Sequence, residues 1–294
     1  MTDEHPGHLD FVVQWGAASD RGTRREHNED CFLASPPVFL VADGMGGHQQ
    51  GDVAAQAVVD AFQTYRSGSW LTSDAVHEAV AMAVATINTI GPTGAGSPGS
   101  TLTGAGLTVQ DGMPCWLIFN VGDSRTYRLA RGILEQVSVD HSQVQEMVEA
   151  GMIAREEART HARRSVITRA LGGGLLSQPA VDQWLLPAAV GDRLLICSDG
   201  LTGELTDALI AATLVAVPGA QAAADELVRA AVAAGGRDNV TAVVVDAVSV
   251  TAQPGTGGHL EDTLADELGL GANDDTVPDP SDVLLVEQGE AIGG

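Results

Sequence analysis

The sequence predicts an α+β fold in which two β-sheets form a central sandwich flanked by helices. Strand-like and helix-like segments come in blocks rather than in strict alternation. The short strands of the middle region are separated by glycines or brief polar turns, which suits antiparallel neighbours better than helical crossovers. The apolar runs VFLVA (38–42), WLIFNV (116–121) and LLIC (194–197) are continuous, as expected of strands covered on both faces.

Taken in order, residues 11–18 and 37–42 read as strands bounded by Pro, Gly and charged turns. A helix follows over 52–66, with Val53, Ala57, Val58, Ala61, Phe62 and Tyr65 on one face, and a second over 73–90, with Val76, Val80, Val84 and Ile87 at helical spacing. GPTGAGSPG (91–99) is a loop by composition. Strands are expected at 101–109, 115–121, 125–130 and 133–137. Residues 142–165 are polar with helical character and end in the basic cluster Arg159, Arg163 and Arg164. Strands return at 181–186 and 192–197, helices at 206–215 and 219–234, and a last strand at 240–248. The organisation is a short N-terminal extension (1–10), one domain (11–248) and a tail (249–294). Residues 251–294 hold ten acidic residues and no Lys or Arg, with too little apolar surface to offset the entropy of ordering, so the tail is expected to be disordered.

The formal net charge of −24 argues against nucleic acid or an anionic membrane as partner. The 15 basic residues are all arginine, which with so much Ala and Gly reads as coding bias and carries no functional weight. Cys31, Cys115 and Cys197 lie far apart and read as reduced thiols rather than a disulfide frame or zinc site. No signal-like segment opens the chain, and no apolar stretch approaches the ~20 residues that span a bilayer. The expectation is a soluble, cytoplasmic protein.

Three apolar runs each end on an aspartate: Asp43, Asp123 and Asp199. Singly, an Asp before Gly usually only closes a turn. Together, on neighbouring strands, they would form one acidic site with Glu29, Asp30 and Asp238, which also lie near turns. Two like charges ~4 Å apart repel by roughly 4 kcal/mol at an effective dielectric of 20, so such a cluster must take up protons or cations. Oxygen-only ligands point to Mg²⁺ or Mn²⁺. Such ions activate water and neutralise a phosphoryl group. Arg25, four residues before Glu29, has the guanidinium fork that suits phosphate, although an arginine in an Arg-Arg pair is ordinarily just surface.

RxxNED (25–30), DGMGG (43–47), GDSR (122–125), DHS (140–142), ITRALG (167–172), GDRLLICSDGLT (191–202) and RDNVT (237–241) occur together and in order. Over about residues 11–248 the chain closely resembles the bacterial metal-dependent protein Ser/Thr phosphatases of type 2C. The resemblance implies two antiparallel β-sheets between helical layers, with two ions, Mn²⁺ or Mg²⁺, at one end of the sandwich. Asp43 would bridge them, the Gly44 carbonyl and Glu29 would serve one, and Asp199 and Asp238 the other. Asp123, with Asp199, would hold the third ion of bacterial members. Asp30 would orient bound water, and Arg25 would bind the substrate phosphate. The implied reaction is hydrolysis of phosphoserine or phosphothreonine by a metal-activated water, without a covalent enzyme intermediate. The implied partners are phosphorylated proteins, Ser/Thr kinases and their substrates among them, met by a monomer. Residues 143–165 match a mobile flap whose arginines would engage substrate, unless they are simply a solvated helix face.

One departure stands out. Many eukaryotic members carry a histidine after the Asp-Gly as a proposed general acid, and Met45 stands there instead. His48 or a metal-bound water would then protonate the leaving group; His27, His141 and His161 show no ligand spacing. GMGGHQQG also fits a dinucleotide loop, but Asp43 would face a pyrophosphate without a counter-ion, and antiparallel strands follow, which excludes it. A dead phosphatase fold used as a binding module is disfavoured by the intact ligand set. A phosphatase of anti-sigma-factor antagonists usually carries a sensor or dimerising region, for which there is no room here. In the tail, Thr263 and Thr276 follow acidic residues, a context suited to kinase modification and docking of a phosphothreonine-binding domain, with plain solvation the simpler role.

Overall fold

The computed structural model describes residues 9–46, 50–90, 96–174 and 179–252. Its strands are β1 (Asp10–Asp20), β2 (Asp30–Ser35), β3 (Val38–Met45), β4 (Gly99–Ser100), β5 (Leu102–Gln110), β6 (Met113–Val121), β7 (Arg125–Ala130), β8 (Ile133–Gln136), β9 (Leu171–Gly172), β10 (Asp182–Pro187), β11 (Arg193–Cys197) and β12 (Val240–Thr251). The helices are α1 (Gly51–Gln63), α2 (Ser73–Ile87), α3 (Gln143–Glu149), α4 (Arg155–Ala158), α5 (Asp199–Glu204), α6 (Asp207–Ala216) and α7 (Ala220–Ala234). One sheet runs β1-β12-β11-β7-β8; the other runs β10-β6-β5-β3-β4-β9, with β2 also paired to β3. Every pairing is antiparallel. The Thr263 and Thr276 contexts and His48 lie outside the described residues.

The continuous apolar runs arise because each inner strand feeds two cores. On β3, Val38, Leu40 and Ala42 pack outward with α1 and α2, while Phe39 and Val41 pack between the sheets. On β11, Leu195 and Cys197 join α5, α6 and α7, while Leu194 and Ile196 face the inter-sheet core with Trp116, Ile118, Val243 and Val245. Phe62 of α1 stacks on Phe119 of β6 at 5.3 Å, fixing the outer helices to the sheet. Burial of a large apolar side chain contributes roughly 1.5–3 kcal/mol, which outweighs the weak helix preference of the valines in α1 and α2, while their alanines favour the helix outright.

Several elements differ from expectation. Sequence periodicity misses β2, β4, β9 and α5, each short or polar. On α1 the expected Ala57, Val58, Ala61 and Phe62 are buried, Ala54, Ala55 and Val59 join them, and Val53 is instead 46% exposed. The 142–165 segment forms only the two short helices α3 and α4 joined by turns. Cys115 and Cys197 are buried, Cys31 is partly buried, and all three are free thiols. Among the described residues, no helix is long and apolar enough to cross a membrane.

Candidate active site

The sheet register brings the acidic residues to one rim. β2 and β3 pair with Asp30 opposite Asp43, an antiparallel position where Cβ atoms lie about 5 Å apart. In the other sheet, Cys197 at the end of β11 pairs with Ala242 near the start of β12 and with Arg125 at the start of β7. Asp199, Asp238 and Asp123 therefore emerge at the same end, each one or two residues beyond a strand terminus. Glu29 precedes β2 and joins them through its carboxylate, which lies against Gly51. A Cβ on Gly51 would meet Glu29 Oε1 at 2.8 Å, and one on Gly44 would collide with the Gly51 carbonyl. The two glycines make room for the Glu29 carboxylate beside the Gly44 backbone.

Backbone and hydroxyl contacts fix these positions. Asp43 N donates to Thr101 Oγ1 (3.0 Å), and Thr101 N and Ser100 Oγ donate to the Asp43 carbonyl. Ser198 Oγ donates to Asp30 Oδ2 at 2.7 Å and accepts from Thr241 N at 3.0 Å, stitching the two sheets together beneath the site. Asn239 does the same for the loop before β2. Its Oδ1 accepts from Glu29 N, and its Nδ2 donates to the Arg21 and His27 carbonyls. His141 Nδ1 accepts from Gly122 N at 3.0 Å and so holds the turn that presents Asp123.

The electrostatics are those of crowded, desolvated carboxylates. Burial, then the charges of Asp30, Asp199, Asp123 and Asp238, raise the Asp43 pKa well above the usual carboxylate range. Burial pushes Asp30 up to about 7, against hydrogen bonds from Thr241 and Ser198 that favour its ionised form. Asp123 is raised well above its ordinary value by burial and by Asp199 and Asp140. Asp199 is raised by burial and Asp238, and is pulled back by a hydrogen bond with Asp43 and by Arg25 and Arg125. Asp30 Oδ1 is buried with no hydrogen-bond partner. Orphaned oxygen and mutually raised carboxylates are what a hard cation would relieve, and the all-oxygen donor set fits Mg²⁺ or Mn²⁺.

Among the described residues, no group of three or more His, Cys, Asp or Glu side chains stands ready-made around one point. The reason is visible in the partners. Arg25 Nη2 donates to Asp238 Oδ2 at 2.6 Å, and Ser198 holds Asp30. The Arg25–Asp238 pair is 48% and 35% exposed, and such pairs contribute about 0–1 kcal/mol. A cation competing for Asp238 meets little resistance from it.

The eight expected site residues therefore converge on one rim, with Arg25 already over the carboxylates. Sequence reasoning did not single out Ser198, Asn239 or Thr101. The first two lie inside motifs already noted, CSDG and RDN, whereas Thr101 carries no signal beyond its strand. Asn239→Ala strands the Glu29 amide and two carbonyls. It is expected to lower stability by about 1–3 kcal/mol and initial rate by about 10–100-fold through displaced Glu29 and Arg25. Urea melts and rate assays on one preparation check both.

The family described as Protein phosphatase 2C matches residues 23–234. The serine/threonine protein phosphatase PstP of Mycobacterium tuberculosis is 38% identical over 243 residues, 81% of this chain and 46% of PstP; the chain thus matches about half of that relative's length. The crystal structure of the Ser-Thr phosphatase MsPP from Mycobacterium smegmatis, in complex with cacodylate, superposes with a TM-score of 0.70 at 36% identity, covering 79% of this chain and 97% of that one. The catalytic domain of PstP in complex with two manganese ions gives a TM-score of 0.69 at 33% identity, covering 82% and 100%.

Proposed function

The chain belongs to the protein phosphatase 2C family, and on that premise we propose that it hydrolyses phosphoserine and phosphothreonine esters on proteins, using Mn²⁺ or Mg²⁺. The observation that carries the reading is the set of buried carboxylates at one rim, which burial and mutual repulsion leave short of positive charge. The two manganese ions of the PstP structure support it. Asp43 would sit between two ions, with Glu29 and the Gly44 carbonyl on one side, Asp199 and Asp238 on the other, and Asp123 with Asp199 for a third. Bound there, divalent cations would supply charge to neutralise the phosphoryl oxygens and acidity to an attacking water.

The chain's own groups do the rest. Arg25 sits beside Asp238 under the fields of Asp238, Asp43 and Glu29, which outweigh the burial that opposes its charge. Once Asp238 is taken up, its guanidinium is free to hold two phosphate oxygens. Asp30 is anchored by Ser198 through Oδ2, so its open Oδ1 is the acceptor available to orient a water. Ser198 is committed to Asp30 and Thr241 and so is not free to act as a covalent nucleophile. The departing alkoxide needs a proton. Met45 has none to give, and His48 lies outside the described residues. Physiological partners on this reading are phosphorylated proteins, Ser/Thr kinases and their substrates among them.

The test is release of phosphate from a phosphothreonine peptide and an aryl phosphate. Turnover with Mn²⁺ or Mg²⁺ that a chelator stops and fresh metal restores supports the proposal, and turnover indifferent to chelator refutes it. Arg25→Ala removes a charge-assisted contact of about 1.5–3 kcal/mol. It is expected to raise KM for the phosphopeptide about 10–100-fold, read from steady-state kinetics at saturating metal.

A further inference from the structure

A cavity of about 560 Å³ opens beside the acidic rim, and Asp123 and Asp199 both line it. These are the two carboxylates proposed for a third ion. Asp123 owes its position to the short turn between β6 and β7, whose first residue, Gly122, has a φ of +108°. A glycine in that region restrains its neighbour weakly, so the turn has to be held from outside. His141 grips it twice. Its Nδ1 accepts from Gly122 N at 3.0 Å, and its own backbone N donates to Gly122 O at 2.9 Å. Asn120 Nδ2 donates to the same carbonyl at 3.1 Å.

The first of these bonds demands one tautomer. Nδ1 must be bare to accept, so the ring proton belongs on Nε2. Nε2 lies 3.0 Å from Asp182 Oδ2, the acceptor that this tautomer needs. The other Asp182 oxygen accepts from Arg169 Nη1 at 2.6 Å, and the same Nη1 donates to Ala180 O at 3.2 Å. Burial favours a protonated Asp182, but hydrogen bonds from His141 and Arg169 outweigh it and hold the carboxyl below its ordinary range. Each bond in the series Gly122–His141–Asp182–Arg169 thus fixes the next. A proton on Nδ1 instead would set two donors against each other at the turn, at the cost of an unmatched buried N–H.

The series also gives a role to two motifs that the ligand set leaves unused. DHS (140–142) and ITRALG (167–172) lie side by side, joined by the Ser142–Ile167 bridge and by Thr168 N donating to His141 O. His141 comes from the first and Arg169 from the second. Asp182 belongs to no motif; it begins β10, an edge strand, and its side chain is 38% exposed. Among the described residues, none of the three side chains bonds to Glu29, Asp43, Asp199 or Asp238.

We infer that His141, Asp182 and Arg169 are positioning residues for Asp123, a relay that sets the affinity for the third ion and leaves the other two ions alone. The inference rests on the phosphatase reading above. Residues that orient a ligand from behind typically change metal affinity about 10–100-fold. The third ion is the one most exposed to such a change, because it has only Asp123 and a share of Asp199, and affinity follows the number of charged ligands.

The experiment titrates Mn²⁺ calorimetrically into the full chain. Wild type is compared with Asp182→Ala, Asp182→Asn and Arg169→Ala, with Asp123→Ala as the reference for a lost third ion. Wild type is expected to bind two ions tightly and one weakly, and Asp123→Ala only the tight pair. In Asp182→Ala the Kd of the weak ion should rise about 10–100-fold, with the tight pair unchanged. Asp182→Asn keeps an acceptor for Nε2 but turns a donor toward Arg169, so its rise should be smaller. Arg169→Ala leaves Asp182 in place and keeps the test open if Asp182→Ala does not fold. Ring nitrogen shifts of His141, read by NMR without metal, separate positioning from general weakening. Wild type should show a bare Nδ1, and Asp182→Ala should gain the Nδ1–H form. A weak ion unmoved by these variants, a tight pair weakened with it, or Nδ1–H in wild type overturns the relay. Wild type that binds only two ions yet cleaves a phosphothreonine peptide also overturns it and leaves the phosphatase reading intact. Absence of both Mn²⁺ binding and cleavage overturns that reading, and the relay with it.

Discussion

Asp43→Asn is expected to lower metal-dependent phosphate release by at least about a thousandfold, while making the metal-free protein more stable rather than less. Asp43 lies at the end of β3 with Asp30 opposite it, and burial and four neighbouring carboxylates raise its pKa well above normal. Its charge is a cost to the fold that a proton or a bound cation offsets. An amide of the same shape keeps the backbone bonds to Ser100 and Thr101 and removes that cost. Wild type should gain about 2.7 kcal/mol when Mn²⁺ reaches a hundred times its Kd, read as a rise in Tm. The variant should show a higher Tm without metal and little or no rise with it. A variant that stays active, or whose Tm still climbs with Mn²⁺ as in wild type, contradicts the placement of Asp43 at the centre of the site.

Asp192→Ala is expected to be the most damaging single change to stability, at about 3–5 kcal/mol. Asp192 is 3% exposed at the start of β11, the end of that strand away from Asp199. Its carboxylate accepts from Trp116 Nε1 at 3.1 Å, from Arg128 Nη2 at 2.7 Å and from Ala189 N at 2.9 Å. Trp116 is fully buried between the sheets, and among the described residues its indole N–H has no other hydrogen-bond partner. Truncation leaves a donor unmatched in the core and the Arg128 charge half-desolvated. At about 2–4 °C per kcal/mol for a domain of this size, thermal unfolding should fall by about 6–20 °C. Activity below the transition should remain within a few-fold of wild type, because no contact of Asp192 reaches the acidic rim. The two variants therefore separate the costs of holding the site from those of holding the fold.

Much of this was legible in the sequence, for physical reasons that also mark where legibility stops. Strands buried on both faces declare themselves as unbroken apolar runs, and so β3, β6 and β11 stood out together with the aspartates they deliver. β2 did not, because its Asp30-Cys31-Phe32-Leu33-Ala34-Ser35 sequence has one polar end at the site and one exposed aromatic. Helix α5 was hidden within the SDGLT motif, and its six residues are too few to show a period. On α1 the expected face holds at Ala57, Val58, Ala61 and Phe62 and, just past its end, at Tyr65, and fails only at its first residue. Alanines carry much of the buried face, and Val53 is the larger residue left outside.

The site shows the same division. Motif residues carrying charge were identifiable, because three apolar runs that each end on a carboxylate demand an explanation. The groups that hold them were not. Ser198, Asn239 and Thr101 work through partners 43, 210 and 58 residues away, and no local pattern encodes such bonds. The Arg25–Asp238 pair was also invisible, since each residue was read as facing a ligand rather than the other. That pair sharpens the account. The residue expected to hold phosphate is borrowed by a carboxylate expected to hold metal.

The most direct measurement is anomalous diffraction from crystals of this protein grown with Mn²⁺. The account predicts manganese peaks on both sides of the Asp43 carboxylate, with Asp238 turned away from Arg25 and the guanidinium released toward the cavity. Peaks confined to other surface carboxylates, with the Arg25–Asp238 pair intact at saturating Mn²⁺, would contradict it.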